Sequence, residues 1–322
     1  GCDCKMSGRD IKQSRMDQVD KRRIYRVYEG WPRFAAEAWE QQVSCPPGRF
    51  DRVVYMAIGG SAAAGDIISD WMLSSGEAEL SVFKGDLPRL RVENTLVIAC
   101  SASGNTEETI RMAENIRKRT SKIAVISSGG RLEGFAKRNR LHYVRIPLMV
   151  APRYTLSYVL FASLAVLREA SVIKNAESEV AEPISSMKKI ASRISSSVPI
   201  ARNPSKQLAR LLANSRPKVY GSSITKGVAT RFKNSLNENA KMHASAAYAP
   251  DLFHNEVESW ETELGGRFLP VVLRHGRESF YEKTNIGRLL KILAGKGVKT
   301  KQVSGLGKSS LSQLVSMAYI LD

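Results

Sequence analysis

Short apolar runs alternate with amphipathic stretches along most of the chain. Runs such as "DRVVYMAIGG", "NTLVIACS" and "KIAVISS" are rich in β-branched residues, which is typical of buried strands. Stretches such as "EETIRMAENIRKR" place apolar residues three or four positions apart, which predicts helices. Because strands that alternate with helices form crossover units, the pattern predicts an α/β fold with mostly parallel sheets flanked by helices.

The predicted elements form two similar series. Residues 1–45 are predicted to be a helical extension around "AAEAWEQQ", and residues 46–170 form the first series of strands and helices. A polar segment with a proline, "NAESEVAEPISS", predicts a linker within 171–190. The second series occupies 191–322, with "PKVYGSS", "RFLPVVLRHG" and "VKTKQVSG" as strands. Both series begin with a strand, a glycine–serine turn and a helix, which suggests a duplicated unit.

Composition favours a cytoplasmic protein without a membrane partner. The chain is 43% hydrophobic and 25% charged, which is typical of globular proteins. Its longest apolar run, "SYVLFASLAVL", is too short to span a bilayer, and the first residues, "GCDCKMSGRD", lack the apolar region of a signal peptide. The four cysteines do not have the spacing of a disulfide framework or a zinc site, which indicates a reducing compartment.

The chain carries a formal net charge of +18, and its basic residues are distributed over both halves. A diffuse positive surface attracts anions such as sugar phosphates and, less specifically, nucleic acids. The sequence has no zinc-finger or aromatic-rich nucleic-acid motif, so no specific nucleic-acid partner is expected. Its four histidines do not form an H-x-x-x-H pattern, so no metal site is expected either.

Two turns between a predicted strand and a predicted helix share one design. "AIGGSAAAGD" contains Gly60 and Ser61, and "CSASGNTEET" contains Ser101, Ser103 and Thr106. Unpaired N–H groups at helix N-termini favour anions, glycines allow close approach, and hydroxyls donate hydrogen bonds to oxyanions. The two turns therefore predict a phosphate-binding site. Neither turn has a dinucleotide or a nucleoside-triphosphate motif, which disfavours those ligands.

The same residues have a structural interpretation. Ser, Thr and Asn before a helix are common N-caps, and "SGNTEET" is compatible with a capping box. One such turn alone would be interpreted as a cap. Two turns of the same design in one sheet favour the ligand-binding interpretation.

The segment "SASGNTEET" resembles the S-x-S-G-x-T-x-E-T signature of sugar isomerase (SIS) domains. Together with "AIGGSAAAGD", "SSGGRLEGFA", "APRYTLSYVL", "RFKNSLNENAK" and "LFHNEVESWE", it resembles the bifunctional phosphoglucose/phosphomannose isomerases across roughly residues 50–260. The resemblance implies two SIS subdomains and a homodimer with active sites near the subunit interface. It also implies interconversion of fructose 6-phosphate with glucose 6-phosphate and mannose 6-phosphate, without a metal or another cofactor.

The resemblance also implies catalytic roles for Glu238, His254 and Arg153. Glu238 would shuttle the proton between the two carbons through an enediolate, and His254 would open the ring in the active site of the neighbouring subunit. Arg153 would stabilise the enediolate charge. Without the resemblance, the three residues have ordinary interpretations as a solvated glutamate, a loop histidine and a surface arginine. Glu256 or Glu258 could orient His254 or be simple surface charges.

By the same resemblance, Ser61, Ser101, Ser103 and Thr106 would bind the substrate phosphate, with Gly60 beside them. Two features depart from the family pattern. A lysine expected in the last helix is missing, since the chain ends at "SMAYILD" and its last lysine is Lys308, and the basic segment 1–23 has no counterpart. Two alternative hypotheses therefore remain: a catalytically silent SIS protein that binds a sugar phosphate, and a basic nucleic-acid-binding protein.

Overall fold

The computed structural model describes residues 11, 13–76, 78–261 and 267–322, and the elements below lie within them. The helices are α1 (Gln13–Val19), α2 (Ile24–Glu29), α3 (Trp31–Glu40), α4 (Gly59–Ser75), α5 (Glu107–Arg117), α6 (Gly130–Arg138), α7 (Leu156–Glu169), α8 (Ala176–Ile194), α9 (Pro204–Leu212), α10 (Lys226–Glu238), α11 (Phe280–Gly295) and α12 (Ser310–Leu321). The strands are β1 (Arg52–Met56), β2 (Glu79–Phe83), β3 (Thr95–Ser101), β4 (Ile123–Ser127), β5 (His142–Arg145), β6 (Arg216–Gly221), β7 (Ser245–Tyr248), β8 (Phe268–Arg274) and β9 (Lys301–Ser304).

These strands form two sheets, each entirely parallel. The first has the order β2–β1–β3–β4–β5 and the second has the order β7–β6–β8–β9. Strands β3 and β4 are buried over their whole length, as expected of parallel strands that are covered by helices on both faces. The predicted α/β class, with parallel sheets flanked by helices, is confirmed.

The apolar run "SYVLFASLAVL" lies in α7, which is preceded by a short 3₁₀ helix at Pro152–Thr155. Almost every side chain of α7 is buried, because the helix packs against α3 and α4 in the centre of the molecule. A helix that is apolar on all sides is stable only in such a position. The 3₁₀ helix matters for function because it carries Arg153.

Two regions differ from the sequence-based expectation. The segment 171–190, predicted as a linker, is mostly occupied by α8, whose buried face includes Val180, Met187 and Ile190. The edge strand β7 was not predicted, because its sequence "SAAY" has a single large apolar residue and little strand signal. The division into an extension at 1–45, units at 46–170 and 191–322 and a connection at 171–190 stays a prediction. Residues 1–10 and 12 of the extension lie outside the described residues.

The two sheets are connected by close packing of α4 against α10. A Cβ atom on Gly227 would lie 2.8 Å from the carbonyl carbon of Asp66, so the helix backbones approach closely at this point. One turn further along α4, Asp70 accepts a hydrogen bond of 2.6 Å from the N–H of Gly227. This packing fixes the N-terminal end of α10 against α4. Among the described residues, no helix is both long and apolar enough to cross a membrane.

Candidate functional site

The two turns predicted to bind phosphate lie side by side. β1 and β3 are neighbouring parallel strands, so their carboxyl ends, at Met56 and Ser101, meet at one edge of the sheet. Ser61, in the first turn of α4, accepts a hydrogen bond of 3.0 Å from the N–H of Ala102 in the turn after β3. Ligands of open parallel sheets bind at this edge. The two turns are therefore adjacent at this edge.

Hydroxyl groups hold the turn between β3 and α5 together. The Oγ atom of Ser101 lies 2.8 Å from the Oγ1 atom of Thr106 and accepts a hydrogen bond of 3.2 Å from the N–H of Gly104. Ser103 accepts a hydrogen bond of 3.3 Å from the N–H of Asn105. Thr106 is the N-cap residue of α5, but its side chain makes no capping hydrogen bond. The capping interpretation of Thr106 is therefore wrong.

The conformation of this turn depends on Gly104. Its φ is +70°, and a Cβ atom would lie 1.8 Å from the carbonyl oxygen of Gly129 in the turn after β4. A side chain is excluded for both reasons, because L-residues disfavour this conformation and the neighbouring backbone occupies the space. The contact presses the turn after β3 against the turn after β4, which makes this edge of the sheet compact.

Arg153 lies against the N-terminus of α4. A Cβ atom on Gly60 would be 3.0 Å from the Cα atom of Arg153 and 3.6 Å from the Nη1 atom of Arg231. The guanidinium of Arg231 and the backbone of Arg153 thus approach the helix end, where no side-chain cap is present. The positive end of the helix dipole and the nearby Arg231 guanidinium make this position favourable for an anion. We refer to Gly60, Ser61, Ser101, Ser103 and Thr106 as the cradle.

Arg153 also contacts the end of α10 in the second unit. Its Nε atom donates a hydrogen bond of 2.9 Å to Asn239 Oδ1 and lies 3.9 Å from Glu238 Oε2. Its guanidinium lies over the ring of Tyr154, 4.6 Å from the centroid. The Glu238 side chain is 44% exposed, so its carboxylate is accessible to a small molecule. The structure thus brings the cradle, Arg153 and Glu238 together, and we refer to the space beside them as the cleft.

A buried ion pair, which was not predicted from the sequence, holds the backbone of Arg153 in place. Arg231 donates a hydrogen bond of 2.9 Å to the backbone carbonyl of Arg153 and lies 2.7 Å from the carboxylate of Asp322. Burial disfavours the charged guanidinium, but Asp322 outweighs it, so the pKa of Arg231 is above its ordinary value. The sequence contained a signal, because Arg231 falls on the same helix face as Val228 and Ser235, and both are buried.

Asn239 and Tyr154 were also missed. The side-chain oxygen of Asn239 accepts hydrogen bonds from both Arg153 and the Tyr154 hydroxyl, and its amide nitrogen donates one to the Tyr28 hydroxyl. The two tyrosines therefore hold the Asn239 side chain in place, and Asn239 in turn positions the arginine. In the sequence it is one of several asparagines in "NSLNENAK", and nothing in that pattern distinguishes it.

His254 is not part of this cleft within one chain. It is exposed and follows the 3₁₀ helix Asp251–Phe253 at the edge of the second sheet. Among the described residues, no hydrogen bond or ion pair joins its ring to Glu238 or Arg153. Glu256 does not orient the histidine, because its carboxylate binds Lys218 at 2.8 Å and the Tyr220 hydroxyl at 3.1 Å.

Known proteins resemble this chain over most of its length. A family model described as "Bacterial phospho-glucose isomerase C-terminal SIS domain" matches residues 201–322. A bifunctional phosphoglucose/phosphomannose isomerase of Caldicellulosiruptor bescii is 29% identical over 279 residues, which are 84% of this chain and 81% of that protein. The enzyme of the same name from Pyrobaculum calidifontis is 30% identical over 248 residues, covering 76% of this chain and 72% of that one.

A solved structure described as a putative phosphosugar isomerase from Silicibacter pomeroyi superposes with a TM-score of 0.67. The alignment covers 93% of this chain and 96% of that chain at 16% sequence identity, so it establishes the fold only. The sequence relatives establish more, since the Pyrobaculum calidifontis enzyme is 30% identical over about three quarters of both chains. The chain belongs to the family of bifunctional phosphoglucose/phosphomannose isomerases.

Proposed function

We propose that the protein is an isomerase that interconverts fructose 6-phosphate with glucose 6-phosphate and mannose 6-phosphate. The observation that carries the proposal is the contact of Arg153 with the cradle on one side and with Glu238 on the other. A sugar phosphate has an anionic group at one end and its reacting carbons at the other. In the cleft, Arg153 lies between the cradle, which can bind the phosphate end, and the accessible carboxylate of Glu238, which can act on the reacting carbons.

In the proposed reaction the cradle binds the phosphate and thereby orients the sugar. Glu238 removes a proton from one of the two reacting carbons and returns it to its neighbour. The enediolate formed in between carries negative charge, which Arg153 stabilises. Arg231 and Asn239 hold Arg153 in place, so the cation needs little reorganisation when this charge develops.

The first test is Glu238→Gln in an assay that couples fructose 6-phosphate to the formation of either aldose phosphate. We expect turnover to fall by at least ~10³-fold, because the amide cannot accept the proton, whereas binding of the sugar phosphate persists. Glu114→Gln, on the exposed face of α5, is the matched control and should leave both unchanged. Turnover near the wild-type rate in the Glu238 variant would remove Glu238 from this role.

The same assay separates the isomerase from a silent sugar-phosphate-binding protein. Formation of glucose 6-phosphate or mannose 6-phosphate by the unaltered protein supports the enzyme. Binding of fructose 6-phosphate without either product would instead support the silent protein, with the cradle retained and the proton transfer lost. Salt-sensitive binding to RNA or DNA without affinity for sugar phosphates would support the third hypothesis.

We further propose that the protein is a homodimer in which His254 completes the active site of the neighbouring subunit. His254 is exposed and is separate from the cleft of its own chain, which supports a role across an interface. The histidine would transfer the proton that opens the sugar ring. This arrangement makes each active site depend on residues from two chains.

Mixing two inactive variants tests the proposed arrangement. Glu238→Gln and His254→Asn should each be inactive alone, but a mixed dimer contains one site with an intact glutamate and an intact histidine. We expect co-expressed variants to recover about a quarter of the wild-type activity if dimers form at random. If no activity returns although mixed dimers are isolated, His254 does not act in the neighbouring subunit.

A further inference from the structure

A second polar cavity lies at the carboxyl edge of the second sheet. Its wall includes Arg277 from the loop after β8 and Ser310 from the helix α12 after β9, and these two strands are neighbours. The C-terminal end of α4 closes the cavity. Because α4 has 17 residues and begins at the cradle, the cavity lies about 25 Å from the cradle along this helix. It is therefore a separate site.

The cavity wall contains hydrogen-bond donors without acceptors. Ser310 is 3% exposed, and its Oγ atom has no hydrogen-bond partner among the described residues. At the same helix end, the carboxylate of Glu182 accepts from the N–H of Ser309. The N–H groups of Ser310 and Leu311 make no hydrogen bond within the described part of the chain. A buried hydroxyl without a partner is uncommon and indicates a missing ligand or water.

The charges around the cavity favour an anion. Lys174 and Arg277 line it, and Arg277 makes no ion pair with any residue that the structure describes. Glu179 is the opposing carboxylate in the wall. The N-terminus of α8, whose N-cap Asn175 makes no capping bond, and the N-terminus of α12 both line the cavity. Arg277 and the two positive helix ends favour an anion, while the carboxylates of Glu179 and Glu182 oppose it.

The size of the cavity limits the ligand. Its volume is about 200 Å³. Since water occupies about 30 Å³ per molecule, the space accommodates the five heavy atoms of a phosphate together with a few waters. We propose that this cavity binds one phosphate-sized tetrahedral oxyanion, held by Arg277, the Ser310 hydroxyl and the N-terminus of α12.

Equilibrium dialysis with radiolabelled inorganic phosphate tests the proposal. The wild-type protein should bind two phosphates per chain, one in the cradle and one in the second cavity. Arg277→Gln should weaken one of them about tenfold by removing a charged donor, and Ser310→Ala about threefold. Arg210→Gln, an equal change of charge at an exposed position of α9, should leave both intact. Isomerase activity checks that each variant is folded.

Ser103→Ala, in the cradle, separates this proposal from the proposed function. A single phosphate that Ser103→Ala weakens, and that Arg277→Gln and Ser310→Ala leave unchanged, would overturn the second site and support the cradle. The reverse pattern would support the second site and count against the cradle. Equal binding in the wild type and both cavity variants would also overturn the proposal.

Discussion

The absence of a side chain at Gly60 allows Arg153 to pack closely against the N-terminus of α4. The Cα of Gly60 faces the backbone of Arg153, and a Cβ atom would be 3.0 Å from the Arg153 Cα atom, closer than ordinary van der Waals contact. We therefore expect Gly60→Ala to push Arg153 away from the N-terminus of α4 by a few tenths of an ångström. Because catalysis depends on the placement of charge, kcat/KM for fructose 6-phosphate should fall roughly tenfold.

Steady-state kinetics together with a thermal unfolding curve test this prediction. Gly287→Ala, on α11, is the control, since its added Cβ meets no atom within 4 Å. It should leave the kinetics unchanged. A Gly60→Ala enzyme with wild-type kcat/KM would mean that Arg153 tolerates the shift or lies outside the reaction.

At the residue scale, the sequence identified the cradle because its signal is local. The one glycine and four hydroxyl residues of the cradle occur within a few positions of two strand ends, and each turn forms from neighbouring residues. Asn239 could not be identified in this way. Its role comes from Arg153, which is 86 positions away in the chain.

At the scale of elements, α10 depends on a glycine for its position and α11 does not. A Cβ atom on Gly227 would lie 2.8 Å and 2.9 Å from backbone atoms of Asp66 and Ile67 in α4. Helix backbones cannot yield as flexible side chains do, so Gly227→Ala should lower the free energy of unfolding by about 1–3 kcal/mol. Urea denaturation measures this change.

The matched glycine-to-alanine substitution in α11 should change the free energy of unfolding in the opposite direction. Gly287 has open space where its Cβ would be, and alanine favours the helix over glycine. We expect Gly287→Ala to raise the free energy of unfolding by about 0.5–1 kcal/mol in the same experiment. If Gly227→Ala also raised the free energy of unfolding, helix propensity, and not the contact between α4 and α10, would determine its effect.

The elements that the sequence predicted are those with strong periodic signals. The buried strands β3 and β4 consist largely of aliphatic residues, and α7 is almost entirely apolar. β7 was missed because an edge strand of small residues carries little such signal. The segment 171–190 was predicted as a linker because of its polarity and Pro183, although most of it lies in α8. Burial of one face of α8 offsets the hydrogen bond that the proline removes.

At the scale of the whole molecule, Asp70 connects the two sheets through a buried carboxyl group. It is 7% exposed on α4 and accepts a hydrogen bond from the N–H of Gly227 on α10. Burial raises the pKa of Asp70 to about 7, and Asp66 adds to the increase, while the Gly227 bond, Lys226 and Lys84 oppose it. The carboxyl group therefore titrates near neutral pH in the folded protein.

The direction of the pH effect follows from linkage. In the unfolded chain the carboxyl has a pKa of about 4, so between pH ~4 and ~7 the folded state holds a proton that the unfolded state has lost. The stability contributed by Asp70 is complete below pH ~4, decreases as the pH rises to about 7, and stays constant above it. Asp70→Asn removes this dependence and keeps an oxygen that can accept from Gly227.

Urea denaturation of both proteins at pH 5 and pH 8 measures the effect. The stability of Asp70→Asn relative to the wild type should increase by ~2 kcal/mol between the two pH values. Asp51→Asn is the matched control, because Asp51 is exposed and makes no side-chain hydrogen bond or ion pair with a described residue. The same relative stability of the Asp70 variant at both pH values would contradict the prediction.

The sequence by itself determined the order of strands and helices, the parallel sheets and the two hydroxyl turns. These features depend on periodicity, on residues adjacent in the chain and on the rule that parallel strands end at a common edge. Its resemblance to a family also pointed to Glu238 and Arg153. Their contact required the tertiary structure, because it depends on how α4 packs against α10.

The packing of α10 against α12 decided the roles of Arg231 and Asp322, whose ion pair holds the backbone of Arg153. The polar cavity at the second sheet also depends on tertiary packing, because it is built from four separate parts of the chain. A sequence pattern records which face of an element is apolar. It does not record which atoms come into contact when two such faces pack together, because these contacts depend on the side chains of both elements.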